Sequence, residues 1–318
     1  MQATKRQVLL AEIALLIAGL IWGSGFVVMK NSLDLLPVNW LLAFRFAIAA
    51  LVLCAILYKR VLRANKQMIL AGLICGVLMY LGYYVQTVGL SYTTAGNNAF
   101  ITAIYVVLAP LFHWFLSKKK PGAHTFLAAV LCLAGVGIIA LTNGFSINIG
   151  DLLTLLAGML FAAHIVAVSI MTEKGLDVFL LTGLQFFFSA VCAAVMGLLT
   201  EPFPAPETLF MGATVNSLLY LGFGCTLLAL LLQNVGLKHA PVSHASLLMS
   251  TEAPFGFLFG IVFLQEPFTL RFFLGASLIA GAIVLSELGH KVLSKRKPDP
   301  AGEDIPLPAT ALQAEQEG

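Results

Sequence analysis

Residues 8–29 read VLLAEIALLIAGLIWGSGFVVM, an apolar stretch in which Glu12 is the only charged residue. As a helix, these residues would extend about 33 Å at about 1.5 Å per residue, enough to cross a hydrocarbon core of about 30 Å. Similar stretches continue along the chain between short polar breaks. The sequence therefore predicts ten transmembrane helices, at approximately 8–29, 38–58, 67–90, 96–116, 123–142, 151–172, 178–199, 213–237, 243–264 and 270–290.

The composition supports this assignment and excludes other classes of protein. Of the 318 residues, 59% are hydrophobic and 10% are charged, whereas about a quarter of a soluble domain is charged. A soluble enzyme, a disordered chain and a nucleic-acid-binding module are excluded, and no nucleic-acid partner is expected. The strands of a membrane β-barrel would alternate apolar and polar residues, which these continuous runs do not. We predict an all-α integral membrane protein surrounded by a lipid bilayer.

The distribution of basic residues predicts the orientation, because Lys and Arg concentrate in short cytoplasmic loops. With the N-terminus in the cytoplasm, the inner regions hold 15 Lys and Arg residues, and the outer loops hold Lys30 and Arg271. We predict a multi-pass protein of the cell inner (plasma) membrane with both termini cytoplasmic. Residues 298–318 contain four prolines and five acidic residues without apolar periodicity, which predicts a disordered cytoplasmic tail.

Short blocks of the first half recur in the same order in the second half. The pairs are Val38, Leu41, Phe46 and Ala50 with Val178, Leu181, Phe186 and Ala190 (offset 140), Gln86–Leu90 with Gln233–Leu237 (offset 147), and Ala134-Gly135 with Ala280-Gly281 (offset 146). Each half holds five spans, an odd number, so the second half is inverted relative to the first. We predict two inverted five-helix repeats, 8–142 and 151–290. Secondary transporters have this architecture, with the substrate site near the bilayer midplane.

Several short motifs carry a resemblance to a known family. They are Trp22-Gly23-Ser24-Gly25-Phe26, Pro37, Arg45-Phe46, Gly89 to Gly96, Pro110, Glu252-Ala253-Pro254-Phe255, Glu266-Pro267 and Gly275 to Gly281. Over about residues 8–290 the chain resembles the EamA-like branch of the drug/metabolite transporter superfamily. The resemblance implies a ten-helix basket around a central cavity, alternating access, and often export of amino acids or other metabolites. The chain departs from the pattern in one place: the first repeat has Lys118-Lys119-Lys120 where the second has Glu266.

Three ionisable residues lie deep in predicted spans, where such groups are costly and tend to be functional or to face the bundle interior. Glu252 is a candidate for proton coupling or for binding a substrate amine; the alternative is a structural carboxyl bonded to another helix. Pro254 lacks a backbone donor and is expected to free the carbonyl of Ser250 near this carboxyl. Arg45 could hold a substrate carboxylate or pair with an acid, and His164 could relay protons or simply pack.

Two polar stripes suggest a cavity lining. Tyr80, Tyr83, Tyr84 and Thr87 share one helix face, and Asn98, Thr102 and Tyr105 share another. Neither face suits lipid tails, so we predict that Tyr80, Tyr84, Asn98, Thr102 and Tyr105 line the substrate path, with Gln86 and Trp22 nearby. An interfacial aromatic belt is the alternative for Tyr83 and Tyr84.

Together these features favour a secondary active transporter that exports a small polar or amphipathic metabolite, amino-acid-like or drug-like, with Glu252 as the candidate residue for proton coupling. Flipping of a lipid-linked substrate is an alternative, and an integral-membrane enzyme is a weaker one because the deep ionisable residues are scattered over different spans. The sequence contains no Walker loop, GxSxG or HExxH motif, so no cofactor, metal site or catalytic residue is expected. We expect a monomer or a homodimer with a small-molecule substrate.

Overall fold

The computed structural model describes residues 5–118, 120–141, 148–239 and 247–294. Within these ranges, ten helices are long and apolar enough to cross a membrane: α1 (Arg6–Ser32), α2 (Val38–Ile56), α3 (Lys66–Tyr92), α4 (Ala95–Leu116), α5 (Ala123–Ala140), α6 (Ile149–Glu173), α7 (Val178–Thr200), α8 (Gly212–Gly236), α9 (Leu247–Leu264) and α10 (Leu270–Gly289). The predicted all-α membrane fold is confirmed. The predicted tail, 298–318, lies outside the described residues.

Polar side chains define where several helices begin. Asn65, just before α3, accepts a hydrogen bond from the Met68 N–H at 2.8 Å. Asn148 accepts one from Gly150 N at 2.7 Å at the start of α6. Such N-caps satisfy backbone donors that have no partner within the helix. The caps therefore place the helix ends in the short polar connections.

The packing of the helices repeats when α1–α5 are exchanged with α6–α10. Helix α3 packs against α6 and α7, as α8 packs against α1 and α2. Helix α1 packs against α9, as α6 packs against α4, and the equivalent helices pack on each other in the pairs α2–α7, α4–α9 and α5–α10. This pattern is that of an internal two-fold axis. Because each repeat holds five spanning helices, the axis relates two repeats of inverted orientation.

Glycines allow the closest helix contacts. A Cβ atom at Gly23 would lie 2.9 Å from the Glu252 carbonyl oxygen, where α1 meets α9. A Cβ atom at Gly135 would lie 2.7 Å from the Gly275 carbonyl oxygen, where α5 meets α10. Small residues let membrane helices approach closely without a hydrophobic driving force between them. These contacts hold the repeats together at positions where larger side chains would clash.

Helices α4 and α9 are both interrupted at equivalent places. The first consists of segments Ala95–Thr102 and Tyr105–Ser117. The second passes through a turn at residues 250–251 before the segment Glu252–Leu264. The breaks at 103–104 and 250–251 are offset by 147 residues, the same offset as the Gln86 and Gln233 blocks. Discontinuous helices of this kind surround the binding sites of many secondary transporters.

The expectation that Pro254 leaves a backbone acceptor free was wrong. The Ser250 carbonyl accepts a hydrogen bond from the Ala253 N–H at 3.3 Å. Because the helical segment starts at Glu252, Pro254 lies in its first turn, where a missing donor removes no bond within the helix. The short bond to Ala253 closes the turn instead.

Candidate functional site

A cavity of about 280 Å³ lies between the two repeats. Seven of the ten residues predicted to act in transport line it: Trp22, Arg45, Gln86, Thr102, Tyr105, His164 and Glu252. Further polar side chains come from both repeats, including Tyr83, Gln185 and Gln233. Gln185 and Gln233 are the repeat counterparts of Arg45 and Gln86, so equivalent positions of both halves face the same space. The roles of these residues stay predictions.

The cavity reaches one membrane face and stops short of the other. We call the face with Lys59, Arg60, Lys66 and Lys174 the basic face, and the face with Asp34, Asp151, Glu201, Glu207 and Glu266 the acidic face. Thr172 in the last turn of α6, Val178 at the start of α7 and Glu287 near the end of α10 line the cavity at the basic face. On the other side, the lining ends at Met29, about 5 Å from the acidic end of α1, and at Arg45, about 10 Å from the acidic end of α2, at about 1.5 Å per residue. The cavity is therefore accessible from the basic side.

Arg45 is a buried cation in the cavity wall. Its side chain is 2% exposed, and its Nε donates a hydrogen bond to Thr226 Oγ1 at 2.8 Å. The guanidinium carbon lies 4.6 Å from the centre of the Tyr83 ring, within the range of a cation–π interaction. These contacts hold the guanidinium group in a fixed orientation beside the cavity.

Glu252 is a buried acid of the cavity and is 7% exposed. Its Oε1 accepts a hydrogen bond from the Tyr105 hydroxyl at 2.9 Å. Each of the two residues begins the second segment of an interrupted helix. The carboxyl group therefore lies at a helix N-terminus, whose partial positive charge favours an anionic group. Burial penalises the same charge, so the two effects oppose each other at this residue.

Neutral hydrogen bonds order much of the remaining polar lining. Gln86 Nε2 donates to Thr102 Oγ1 at 3.0 Å. A hydrogen bond of 3.0 Å joins His164 Nε2 and Gln185 Oε1. Trp22 Nε1 donates to the carbonyl oxygen of Cys225 at 2.8 Å, which links α1 to α8. The inner part of the cavity therefore combines a buried cation and a buried acid with amide and aromatic groups.

Three of the predicted residues lie outside the lining of this cavity. The Tyr80 hydroxyl donates to Asn39 Oδ1 at 2.8 Å, and the Tyr84 ring lies 5.8 Å from the Tyr80 ring. Both tyrosines pack with α2 and α7. Asn98 is fully buried and donates to Thr154 Oγ1 at 2.7 Å. These side chains support contacts between helices, and Tyr83 is the member of the tyrosine stripe that lines the cavity.

Carboxylates of the second repeat close the acidic face by binding to the first repeat. Glu266 accepts hydrogen bonds from the backbone N–H groups of Ala95, at 2.5 Å, and Gly96, at 3.0 Å, which begin α4. Glu201 accepts from the Asn39 backbone N–H at 3.0 Å and from Asn39 Nδ2 at 2.9 Å, at the start of α2. Hydrogen bonds to a charged acceptor are roughly twice as strong as neutral ones.

A third carboxylate and a lysine add to this closure. Asp151 accepts hydrogen bonds from the hydroxyl of Thr93 and from Asn97 Nδ2 at 3.3 Å. Lys30 Nζ donates to the carbonyl oxygens of Leu90, at 2.5 Å, and Thr93, at 2.6 Å. These bonds join α1, α6 and the connection between α3 and α4. We call the contacts of Glu266, Glu201 and Asp151 with the first repeat the acidic-face closure.

The two repeats differ in sequence at Glu266, a residue of this closure. Lys118 and Gln265 end α4 and α9 in the left-handed conformation, with φ of 60° and 55°, and are offset by 147 residues. At this offset the counterpart of Glu266 is Lys119, whose placement lies outside the described residues. A lysine has no acceptor for backbone N–H groups, so it cannot make the contact of Glu266 at the basic face. The asymmetry of the sequence thus matches a cavity that reaches the basic face.

Comparisons with known proteins are consistent with this architecture. The chain is 32% identical over 280 residues to an uncharacterized transporter of Archaeoglobus fulgidus, covering 88% of this chain and 86% of the relative. It is 25% identical to the uncharacterized transporter YetK of Bacillus subtilis, covering 93% and 92% of the two chains. A crystal structure shares the fold with a TM-score of 0.63 at 21% identity, covering 89% of this chain and 98% of that chain.

A family model describes both halves of the chain. The model of the EamA-like transporter family matches residues 9–141 and again residues 148–288. The family and the names of the relatives point to transport rather than to catalysis. With its ten apolar helices and two repeats, the chain belongs to the EamA-like transporter family of multi-pass membrane proteins.

Proposed function

We propose that this chain is a secondary active transporter that exports a small polar or amphipathic metabolite from the cytoplasm and couples this export to protons through Glu252. The observation that carries the proposal is a cavity between two inverted repeats, largely apolar with a few buried polar and charged side chains in its wall, that reaches one face and is closed by hydrogen bonds at the other. Alternating access requires two such states, one for each face. Because the acidic-face closure is intact, we assign this structure to the state in which the cavity is open to the basic face.

The proposed orientation supports the proposed direction of transport. Lys and Arg mark cytoplasmic loops, so we place the basic face in the cytoplasm and the protein in the plasma membrane with both termini inside. The cavity is then accessible to cytoplasmic solutes. Opening of the acidic-face closure would release the cargo to the outside.

Proton coupling is supported by the position of Glu252. A buried carboxyl in a substrate cavity is a typical element of proton relays in transporters. Movement of one charge through about 100 mV is worth about 2.3 kcal/mol, which corresponds to about 50-fold accumulation of a coupled solute. Coupling to one proton per cargo molecule would therefore supply enough free energy for export against a gradient.

The experiment has two steps. Cells that overproduce the protein are first challenged with toxic amino acids, amines and dipeptides, and a rise in tolerance identifies a transported compound. Proteoliposomes with an internal pH dye then report proton movement when that compound is added. We expect proton movement with the native chain and its loss in Glu252→Gln.

The matched control is Glu207→Gln, since Glu207 is an exposed carboxylate on the acidic face. This variant is expected to retain full proton movement. If Glu252→Gln also retains it, the coupling role is wrong. If no compound in the screen raises tolerance and none moves protons, the export proposal itself fails.

A further inference from the structure

We infer that the cargo carries an anionic group, of the carboxylate class, which binds to the guanidinium group of Arg45. The inference rests on the proposed transport function and adds the charge of the cargo and the point at which that charge binds. Four features of the Arg45 environment support it: a missing counter-ion, free donors, a fixed orientation and an adjoining apolar surface.

The first feature is the missing counter-ion. Arg45 is 2% exposed, and within the described part of the chain no carboxylate lies within ion-pair distance of it. The exposed Arg60, in contrast, pairs with Asp177 at 2.7 Å. A buried charge without a partner is strongly unfavourable. An anionic ligand in the adjoining cavity would supply the partner that the chain does not.

The second feature is the set of donors that remains available. A guanidinium group has five N–H donors. Thr226 takes the donor on Nε, and Nη1 is directed at the Met29 sulfur at 3.6 Å, a weak acceptor. The Tyr83 side chain also bonds to the guanidinium group, so at least two of the five N–H donors remain available for a ligand. Their fork geometry matches the two oxygens of a carboxylate, which a guanidinium binds in a bidentate manner.

The third feature is the fixed orientation of the guanidinium group. Thr226 lies in a π-helical segment, Tyr220–Leu228, in the middle of α8. Its hydroxyl donates to the Leu221 carbonyl at 2.7 Å and therefore presents a lone pair to Arg45. Segments of π-helix are frequent at functional sites. Thr226 is thus a positioning residue that prepares Arg45 for an incoming anion.

The fourth feature is the apolar surface beside the guanidinium group. The rings of Trp22, Phe26, Tyr83 and Phe161 line the same cavity. A ligand with an aromatic or aliphatic body next to its carboxylate would bury that body against these rings. The cavity volume of about 280 Å³ lies near the lower end of typical small-ligand sites, which favours a compact cargo.

The test measures binding to the full-length protein in detergent by thermal unfolding. The probes are two matched pairs: phenylacetate with phenylacetamide, and indole-3-acetate with indole-3-acetamide. Each pair has the same shape and differs in charge. We expect both carboxylates to raise the unfolding temperature at concentrations at least tenfold lower than their amides, and we expect this preference to vanish in Arg45→Gln.

Control variants separate Arg45 from general charge effects. Arg60→Gln removes an exposed arginine paired with Asp177 and is expected to keep the preference for carboxylates. Thr226→Val leaves the charge of Arg45 and removes its orienting acceptor, so the preference is expected to fall several-fold. If Arg45→Gln does not fold, Thr226→Val and Arg45→Lys provide the test. Arg45→Lys keeps the positive charge and removes the fork of guanidinium N–H donors.

The inference is overturned if the amides stabilise the protein as well as the carboxylates, if neither carboxylate stabilises it, or if the preference survives in Arg45→Gln. These outcomes are independent of the transport assay, because the binding assay contains no membrane or gradient. A chain that moves protons with its cargo but binds without regard to charge would keep the proposed function and lose this inference. A chain that prefers carboxylates through Arg45 but moves no protons with its cargo would keep this inference and lose the proposed proton coupling.

Discussion

Tyr105 and Glu252 occupy equivalent positions in the two repeats, 147 residues apart, and the Tyr105 hydroxyl donates to Glu252 Oε1 at 2.9 Å. Two equivalent residues can touch only near the axis that relates the repeats. Each begins a helical segment that follows a break. A movement of one repeat against the other must therefore pass through this contact, which makes it a candidate link between the ionisation of Glu252 and the state of the cavity.

The first prediction concerns the strength of this contact. Tyr105→Phe leaves a buried carboxyl oxygen without its donor, and we expect a loss of about 1–3 kcal/mol in the free energy of unfolding. Because the two side chains contact each other, the double variant with Glu252→Gln is expected to lose less than the sum of the single losses, by about 0.5–3 kcal/mol. Unfolding of the purified protein in detergent measures the native chain and the three variants.

The control for this cycle is Tyr92→Phe. Tyr92 is 60% exposed at the end of α3, so removal of its hydroxyl is expected to change stability by less than about 0.5 kcal/mol. Strict additivity of Tyr105→Phe and Glu252→Gln would show that the two side chains do not interact in the folded protein.

The sequence predicts the fold well because the bilayer imposes a length and a composition on each helix. The predicted span 67–90 and the observed helix Lys66–Tyr92 differ by one or two residues at each end, since the polar ends must reach water. The inversion of the repeats is equally predictable, because an odd number of spans in each half requires it. These features depend on local composition and need no knowledge of contacts between helices.

The lining of the cavity is harder to predict, because residues of one polar stripe can face different neighbouring helices. Tyr80, Tyr83 and Tyr84 share a face of α3, and this helix packs against both α6 and α7. Only the packing decides that Tyr83 meets the cavity while Tyr80 and Tyr84 pack with α2 and α7. Nothing in the sequence singles out Thr226, because a single hydroxyl in an apolar span is common. The π-helical segment also changes which side chains share a helix face.

The second prediction concerns the acidic-face closure. Glu266→Gln weakens two bonds from a carboxylate to backbone N–H groups, each worth about 1.5–3 kcal/mol. We expect the cavity to open to the acidic face at least tenfold more often. Cys225 lines the cavity, so its reaction with a membrane-impermeant thiol reagent added from that face measures the opening, in a background without the half-buried Cys54 and Cys192.

Gly260→Ala tests the same closure without changing a charge. A Cβ atom at Gly260 would lie 2.5 Å from Glu266 Oε2 and would displace the carboxylate. We expect this variant to raise the labelling of Cys225 in the same direction as Glu266→Gln, while Glu207→Gln leaves it unchanged. Equal labelling rates in all three variants would contradict a role of Glu266 in closure.

The third prediction concerns the contact between α5 and α10, which lies apart from most of the cavity lining. Gly135→Ala places a Cβ atom 2.7 Å from the Gly275 carbonyl, and overpacking of this kind costs about 1–3 kcal/mol. On the same helix, a Cβ atom added at Gly137 would meet no neighbouring atom of the described residues within 4 Å, so Gly137→Ala is the matched control. Thermal unfolding is expected to show a loss of stability for the first variant alone; equal stability of both would contradict the close approach.

The fourth prediction concerns orientation, on which the direction of transport depends. Arg63 is exposed on the basic face and Glu207 on the acidic face. In intact cells we expect an impermeant thiol reagent to label Glu207→Cys and to label Arg63→Cys only after the membrane is permeabilised, because the excess of basic residues retains its loops in the cytoplasm. The opposite pattern would place the accessible side of the cavity outside the cell. The proposed export, which rests on a cavity open to the cytoplasm, would then lose its support.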